Sequence, residues 1–189
     1  YPTGYLIFEP NKKLYTMKKL IYTLSIVTLS FLFMGCPYTT KVNLESDPSE
    51  AVKSSYLGSY EKKGSTTYRY VVSKKSANLY QIEEVKNSDD KVTSTYEGYT
   101  TTIKGTSFLV TWKSNSSYED YDKSEADFYI YKLSANSYGT IMKLDEVTDN
   151  IDEEFESAAE LKAYIAKYKD LSFFYEKSTL KYYKMDEDD

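Results

Sequence analysis

The stretch KVTSTYEGYTTTIKGTSFLVTWK, residues 91–113, decides the fold class of this chain. Both halves are rich in threonine, tyrosine and valine, which favour strands, and the turn signal Lys-Gly-Thr at 104–106 separates them. In the second half Phe108, Val110 and Trp112 alternate with other residues, as side chains on one face of a strand do. The stretch therefore predicts a β-hairpin.

Similar β-prone runs recur along the chain, separated by turn signals at a spacing typical of an antiparallel meander. They are YLGSY (56–60), TTYRYVV (66–72), NLYQIEEV (78–85), ADFYIYKL (126–133) and YGTIMKL (138–144). We expect LSFFYEK (171–177) and TLKYYKM (179–185) to close the domain as a pair of strands. The sequence therefore predicts a mainly β fold, an antiparallel up-and-down barrel of about eight strands, with a β-sandwich as the alternative.

One segment, residues 157–168, has the period of a helix instead of a strand. Ser157 and Glu160 form a capping box, in which each side chain satisfies a backbone amide of the first turn. Leu161 and Ile165 then lie on one apolar stripe, together with the tyrosines at positions i+3 and i+7. We expect this helix to cover one face of the strand at 126–133, which is apolar on both faces.

The stretch MKKLIYTLSIVTLSFLFMGC, residues 17–36, has the layout of a targeting segment. Two lysines follow Met17, an uncharged apolar run covers 20–34, and Cys36 is the only cysteine of the chain. Fifteen helical residues reach roughly 22 Å, which is short of the hydrocarbon core of a bilayer. The segment is therefore expected to be a signal peptide rather than a membrane-spanning helix.

This segment resembles the signal peptides of bacterial lipoprotein precursors. The lipobox is LFMGC (32–36), in which Gly35 and Cys36 match the usual pattern while Phe33 and Met34 depart from it. The resemblance implies cleavage before Cys36 and attachment of lipid, including palmitate-type acyl chains, to that cysteine. It also implies an envelope location, expected to be the outer membrane of a diderm bacterium, on either the periplasmic or the surface face.

The domain organisation follows from this signal. Residues 1–16 precede the first methionine, so we expect them to be an upstream extension, and residues 17–35 to be the signal peptide. The polar segment 36–52 is predicted to be a tether between the lipid and the domain. The β domain is expected at 53–185, followed by an acidic tail at 186–189.

Composition narrows the classes of function. The net charge is −5, and it becomes more negative if the lysine-rich leader is removed, which disfavours binding to nucleic acid. The chain has no histidine, so the common catalytic triads and most transition-metal sites are excluded. The acidic loops do not have the spacing of an EF-hand, and we interpret them as solvated charge. We therefore expect no cofactor, no metal and no enzymatic activity.

The predicted order of strands, one helix and a final strand region resembles lipocalin-like small barrels, including small outer-membrane lipoproteins of undescribed function. LGSY (57–60) is similar to the Gly-x-Trp that opens the first strand in lipocalins, with tyrosine in place of tryptophan. A small barrel can hold one ligand, and aromatic rings supply the lining of such a cavity. The candidate lining residues are Tyr68, Tyr70, Phe108, Trp112, Tyr129 and Tyr131.

The expected function is therefore that of a lipid-anchored envelope protein that binds a small apolar ligand or a protein partner. One alternative is a structural or interaction lipoprotein whose barrel is filled by its own side chains. The other is a hydrolase that uses a pair of carboxylates, since two distant acidic residues suffice for glycoside hydrolysis.

Overall fold

The computed structural model describes residues 38–114, 126–148, 151 and 153–185. The upstream extension, the signal peptide, Cys36 and the acidic tail, all predicted from the sequence, lie outside the described residues. Within the described residues, no helix is long and apolar enough to cross a membrane.

The described residues form nine strands and one α-helix. The strands are β1 (Thr39–Thr40), β2 (Gly58–Lys62), β3 (Tyr68–Lys74), β4 (Tyr80–Lys86), β5 (Lys91–Ile103), β6 (Thr106–Lys113), β7 (Phe128–Ala135), β8 (Ile141–Glu146) and β9 (Leu180–Lys184). The helix α1 spans Ala158–Tyr168, and two 3₁₀ turns span Ser54–Tyr56 and Ser172–Phe174. The helix predicted at 157–168 is confirmed, with Ser157 as its N-cap accepting a hydrogen bond from the Glu160 amide at 3.3 Å.

Strands β2 to β9 form a closed barrel in which every neighbouring pair is antiparallel. Each strand pairs with the next along the chain, and β9 returns to pair with β2, for example Tyr60 opposite Lys184 and Lys62 opposite Tyr182. Closure leaves no free sheet edge around the ring. The predicted eight-stranded up-and-down barrel with a single helix is confirmed, and this architecture is lipocalin-like; the sandwich alternative is wrong.

The ninth strand, β1, lies outside this ring. It pairs with the first two residues of β7, which extend past the end of β8 and would otherwise have unpaired backbone groups. The expectation of a second closing strand at 171–177 is wrong. That segment forms the 3₁₀ turn Ser172–Phe174 and a single bridge between Tyr175 and Val147, because it packs Phe174 against α1 instead of extending along the barrel.

The hydrophobic core lies on the outer side of the barrel wall, between strands β5 to β7 and helix α1. Phe108 and Val110 on β6 are fully buried there, together with Ile130 on β7. Leu161 and Ile165 supply the helix side of the same cluster. The apolar stripe of α1 therefore covers one face of β7, as its sequence predicts.

The segment predicted as a tether packs onto this core in its described part, residues 38–52. Leu44 is 1% exposed within the core cluster, and the backbone amide of Glu45 donates to the Tyr99 hydroxyl at 2.9 Å. The Glu45 carboxylate accepts a hydrogen bond from Thr101 at 2.6 Å and pairs with Lys162 at 3.1 Å. The role of this segment as a tether stays a prediction, while burial of Leu44 and these polar contacts fix residues 38–52 against β5 and α1.

Candidate ligand-binding site

The barrel is hollow. It encloses a cavity of about 390 Å³ that every one of its eight strands lines. A volume of this size lies within the range of about 300–1,000 Å³ found for small-molecule sites. The lining residues are Tyr60, Tyr70, Val72, Ile82, Glu84, Tyr96, Leu109, Thr111, Lys113, Tyr129, Tyr131, Met142, Leu144, Leu180 and Tyr182.

The alternation of side chains along each strand explains this lining. On β6, Leu109, Thr111 and Lys113 face the cavity, whereas the residues between them face α1. Residues that lie directly opposite each other on neighbouring strands point to the same face of the sheet. Leu109 lies opposite Tyr131 on β7, and Thr111 lies opposite Tyr129, so these tyrosines also face the cavity. The cavity is thus a consequence of the pairing of the strands rather than of any loop.

One end of the barrel is closed by the segment that leads into β2. The Tyr60 hydroxyl donates to the carbonyl oxygen of Gly139 at 3.0 Å, and the Lys53 amide donates to the Tyr80 hydroxyl at 2.9 Å. A Cβ on Gly139 would lie 2.2 Å from the Ser55 carbonyl oxygen, so only glycine permits this contact. The 3₁₀ turn Ser54–Tyr56 therefore seals this end of the cavity.

The opposite end, which we call the mouth, includes both charged and polar groups of the cavity. Lys113 lies there at the end of β6 and is exposed, so the cavity reaches the surface at this position. Tyr129 lies near the start of β7, at the same end. The aliphatic residues Val72 and Leu109 lie further toward the closed end, whereas Leu180, at the start of β9, lies on the side of the mouth.

One cavity tyrosine, Tyr70, is partnered with a carboxylate. The Tyr70 hydroxyl donates to Glu84 Oε2 at 3.2 Å, and the Thr93 hydroxyl donates to Glu84 Oε1 at 2.6 Å. Burial, followed by the nearby charge of Glu84, raises the pKa of Tyr70 to about 12. The rings of Tyr70 and Tyr182 meet edge to face with centroids 5.3 Å apart.

A second carboxylate, Glu146, faces the barrel interior at the end of β8. It lies opposite Tyr131 in the register, and Tyr131 hydrogen-bonds to it. Burial raises the pKa of Glu146, and the charge of Glu176 raises it further, while Lys62 and the Tyr131 hydrogen bond act in the opposite direction. Burial together with the charge of Glu146 also raises the pKa of Tyr131.

The structure brings three of the six predicted lining residues to the cavity, namely Tyr70, Tyr129 and Tyr131. Tyr68 shares the inner face of β3 with Tyr70 by alternation, but it lies outside the set of residues that line the cavity. The expectation that Phe108 and Trp112 line the interior is wrong, because both are buried on the outer face. There Trp112 packs against the ring of Phe128 at 5.7 Å.

Several lining residues were not anticipated, above all Glu84, Tyr96, Leu109 and Tyr182. A signal for them exists in the sequence, because the period of two puts Leu109 and Thr111 on the face opposite the large apolar residues of β6. The same period puts Glu84 on the face of Ile82, but a carboxylate on a strand is ordinarily solvated, so its type gave no reason to expect it in the interior.

Comparison of the chain with family models, with curated proteins and with solved structures found no match. The cavity itself is therefore the observation that bears on function.

The raised pKa of Glu146 generates a prediction about stability. The pKa of Glu146 is raised above its ordinary value of 4.5, which we take for the unfolded chain, so the folded protein keeps the proton to higher pH. The free energy of unfolding therefore falls as the pH rises from the pKa of the unfolded state to that of the folded state. Glu146→Gln removes that ionisation. The difference in melting temperature, variant minus parent, is therefore expected to be more positive at pH 7 than at pH 4. Circular dichroism measures both melting temperatures.

Glu154→Gln is the matched control, because Glu154 is an exposed carboxylate on the segment before α1. Its melting temperature relative to the parent should change little between the two pH values. A Glu146→Gln variant that gains no stability at pH 7 compared with pH 4 would contradict the assignment of Glu146 to a buried, acidic environment.

Proposed function

We propose that this protein is a lipid-anchored lipoprotein of the cell envelope that binds a small, largely apolar ligand inside its barrel without transforming it. The observation that carries the proposal is the cavity of about 390 Å³, bordered by aliphatic side chains and tyrosine rings from all eight strands. A barrel filled by its own side chains, as a purely structural role would predict, has no such space. The cavity therefore favours a ligand over a structural role.

Ligand selection in such a cavity would come from few polar groups. Apolar surface supplies most of the binding free energy, while the hydroxyls of Tyr129 and Tyr131 and the charges of Glu84 and Lys113 would orient the ligand. The closed end, sealed at Tyr60, would accept the apolar part of the ligand. The ligand would enter through the mouth.

A neutral apolar fluorophore, N-phenyl-1-naphthylamine, tests binding to the barrel. We expect its fluorescence to rise on addition of the purified chain, and Leu109→Trp to weaken its affinity by about tenfold or more because the larger ring occupies the cavity. Tyr183→Trp is the control. Tyr183 is 40% exposed on the outer face of β9, so that variant should bind as the parent does.

Circular dichroism of Leu109→Trp would establish that the barrel remains folded, and Leu144→Phe offers a smaller filling of the same cavity. Failure of the parent to bind the fluorophore, or equal binding by the parent and both folded filling variants, would overturn the proposal. Hydrolysis or other turnover of a bound ligand would overturn its non-enzymatic part.

Attachment to the membrane rests on Cys36 and the lipobox resemblance, and it has its own test. We expect the membrane fraction of expressing cells to contain the protein, and mass spectrometry of its N-terminal peptide to show acyl chains on Cys36. Cys36→Ser should move the protein to the soluble fraction, whereas Thr39→Ser should leave it membrane-bound. An unmodified N-terminus, or membrane attachment that survives Cys36→Ser, would contradict the anchor.

A further inference from the structure

Two carboxylates act on the same part of the barrel interior. Glu84 on β4 lines the cavity directly, and Glu146 on β8 faces inward opposite Tyr131. Tyr182 on β9 packs against Tyr70, whose hydroxyl donates to Glu84, and the charges of Glu146 and Glu84 add to burial and the neighbouring Tyr70 in raising the pKa of the Tyr182 phenol. Negative charge thus reaches one region of the cavity from opposite walls.

Aromatic faces surround this region. Tyr70 and Tyr182 are packed edge to face, and Tyr131 lies on the adjoining wall. The Tyr70 hydroxyl donates to Glu84 and the Tyr131 hydroxyl donates to Glu146, so these hydroxyl hydrogens are already engaged by carboxylates. Ring faces carry negative potential and attract organic cations within about 6 Å of the centroid.

Among the described residues, neither Glu84 nor Glu146 forms an ion pair with a lysine. Lys113 is exposed at the mouth, where solvent screens it. Lys62 faces Glu146, yet burial and Glu176 still keep the pKa of Glu146 above its ordinary value. Within the described residues, one oxygen of Glu176 is also buried without a hydrogen-bond donor. A cation bound beside Glu146 would offset this uncompensated negative charge.

We propose that the ligand of the barrel is an organic cation, an amine or quaternary ammonium with an apolar body, whose positive group lies among Tyr70, Tyr131 and Tyr182 between Glu84 and Glu146. This inference rests on the proposed function of the cavity. The apolar body would extend toward Val72 and Leu109, and an anionic ligand of the same shape would be repelled by the two carboxylates.

Three probes with the same alkyl chain distinguish the effect of ligand charge on affinity from the effect of the apolar chain. They are octyltrimethylammonium, octyl sulfate and octanol. Each is titrated against the complex of the full chain with N-phenyl-1-naphthylamine. We expect octyltrimethylammonium to displace the fluorophore at a concentration about tenfold or more below that of octyl sulfate, with octanol between them. Displacement by none of the three would overturn the proposed function as well. If octyl sulfate or octanol displaces the fluorophore at a concentration equal to or below that of octyltrimethylammonium, the proposal of a cationic ligand is overturned and the proposed binding function stands.

Substitutions of Glu84 and Glu146 test whether these carboxylates cause the preference for a cation over an anion. Glu84→Gln combined with Glu146→Gln should remove most of the difference between cation and anion while leaving the affinity for octanol within about twofold of the parent. Glu83→Gln is the matched control, because Glu83 is the neighbour of Glu84 on the outer face of β4. A cation preference that survives the double substitution would overturn the assignment to these carboxylates.

Discussion

The pairing of β9 with β2 is the constraint on which the rest of this structure depends. Tyr60, Glu61 and Lys62 pair with the last strand and join the two ends of an eight-stranded meander into a ring. Closure gives every strand one face toward the axis and one face toward the outside, and the register leaves no freedom to exchange them. It also separates two apolar environments, a packed core beneath α1 and a cavity within the ring, which an open sheet would not keep apart.

The fold could be predicted from the sequence because its signals are local and consistent. Period-two runs, turn signals and the capping box at Ser157 each point to the element that forms, and their order along the chain gives the meander. Segment 171–177 could not be predicted, since its aromatic residues fit a strand equally well. Phe174 instead packs beneath α1 while Phe173 remains 68% exposed. The packing of segment 38–52 was not predicted either, because its apolar residues Tyr38, Val42 and Leu44 lie among polar ones with no sustained period.

The candidate site was predictable only in part, because β7 is apolar on both faces and the large rings of β6 could face either the axis or the helix. The period of two predicts that Phe108 and Trp112 share a face of β6. It does not predict whether that face points into the barrel or toward the helix. The structure places the larger rings under α1, where Leu161 and Ile165 complete a packed core. The interior receives the more polar set, including the tyrosines of β7. Glu146 could not have been assigned to it from the sequence, since its environment depends on Tyr131 and Glu176 from distant segments.

The separation of core from cavity is the central claim, and two neighbouring residues of β6 test it. Phe108 is fully buried in the outer core, and Leu109 borders the cavity. Urea unfolding should show a loss of about 3–5 kcal/mol in the free energy of unfolding for Phe108→Ala. Leu109→Ala should cost less than about 2 kcal/mol, because this side chain already borders empty space. A loss for Leu109→Ala that equals or exceeds the loss for Phe108→Ala would contradict the account.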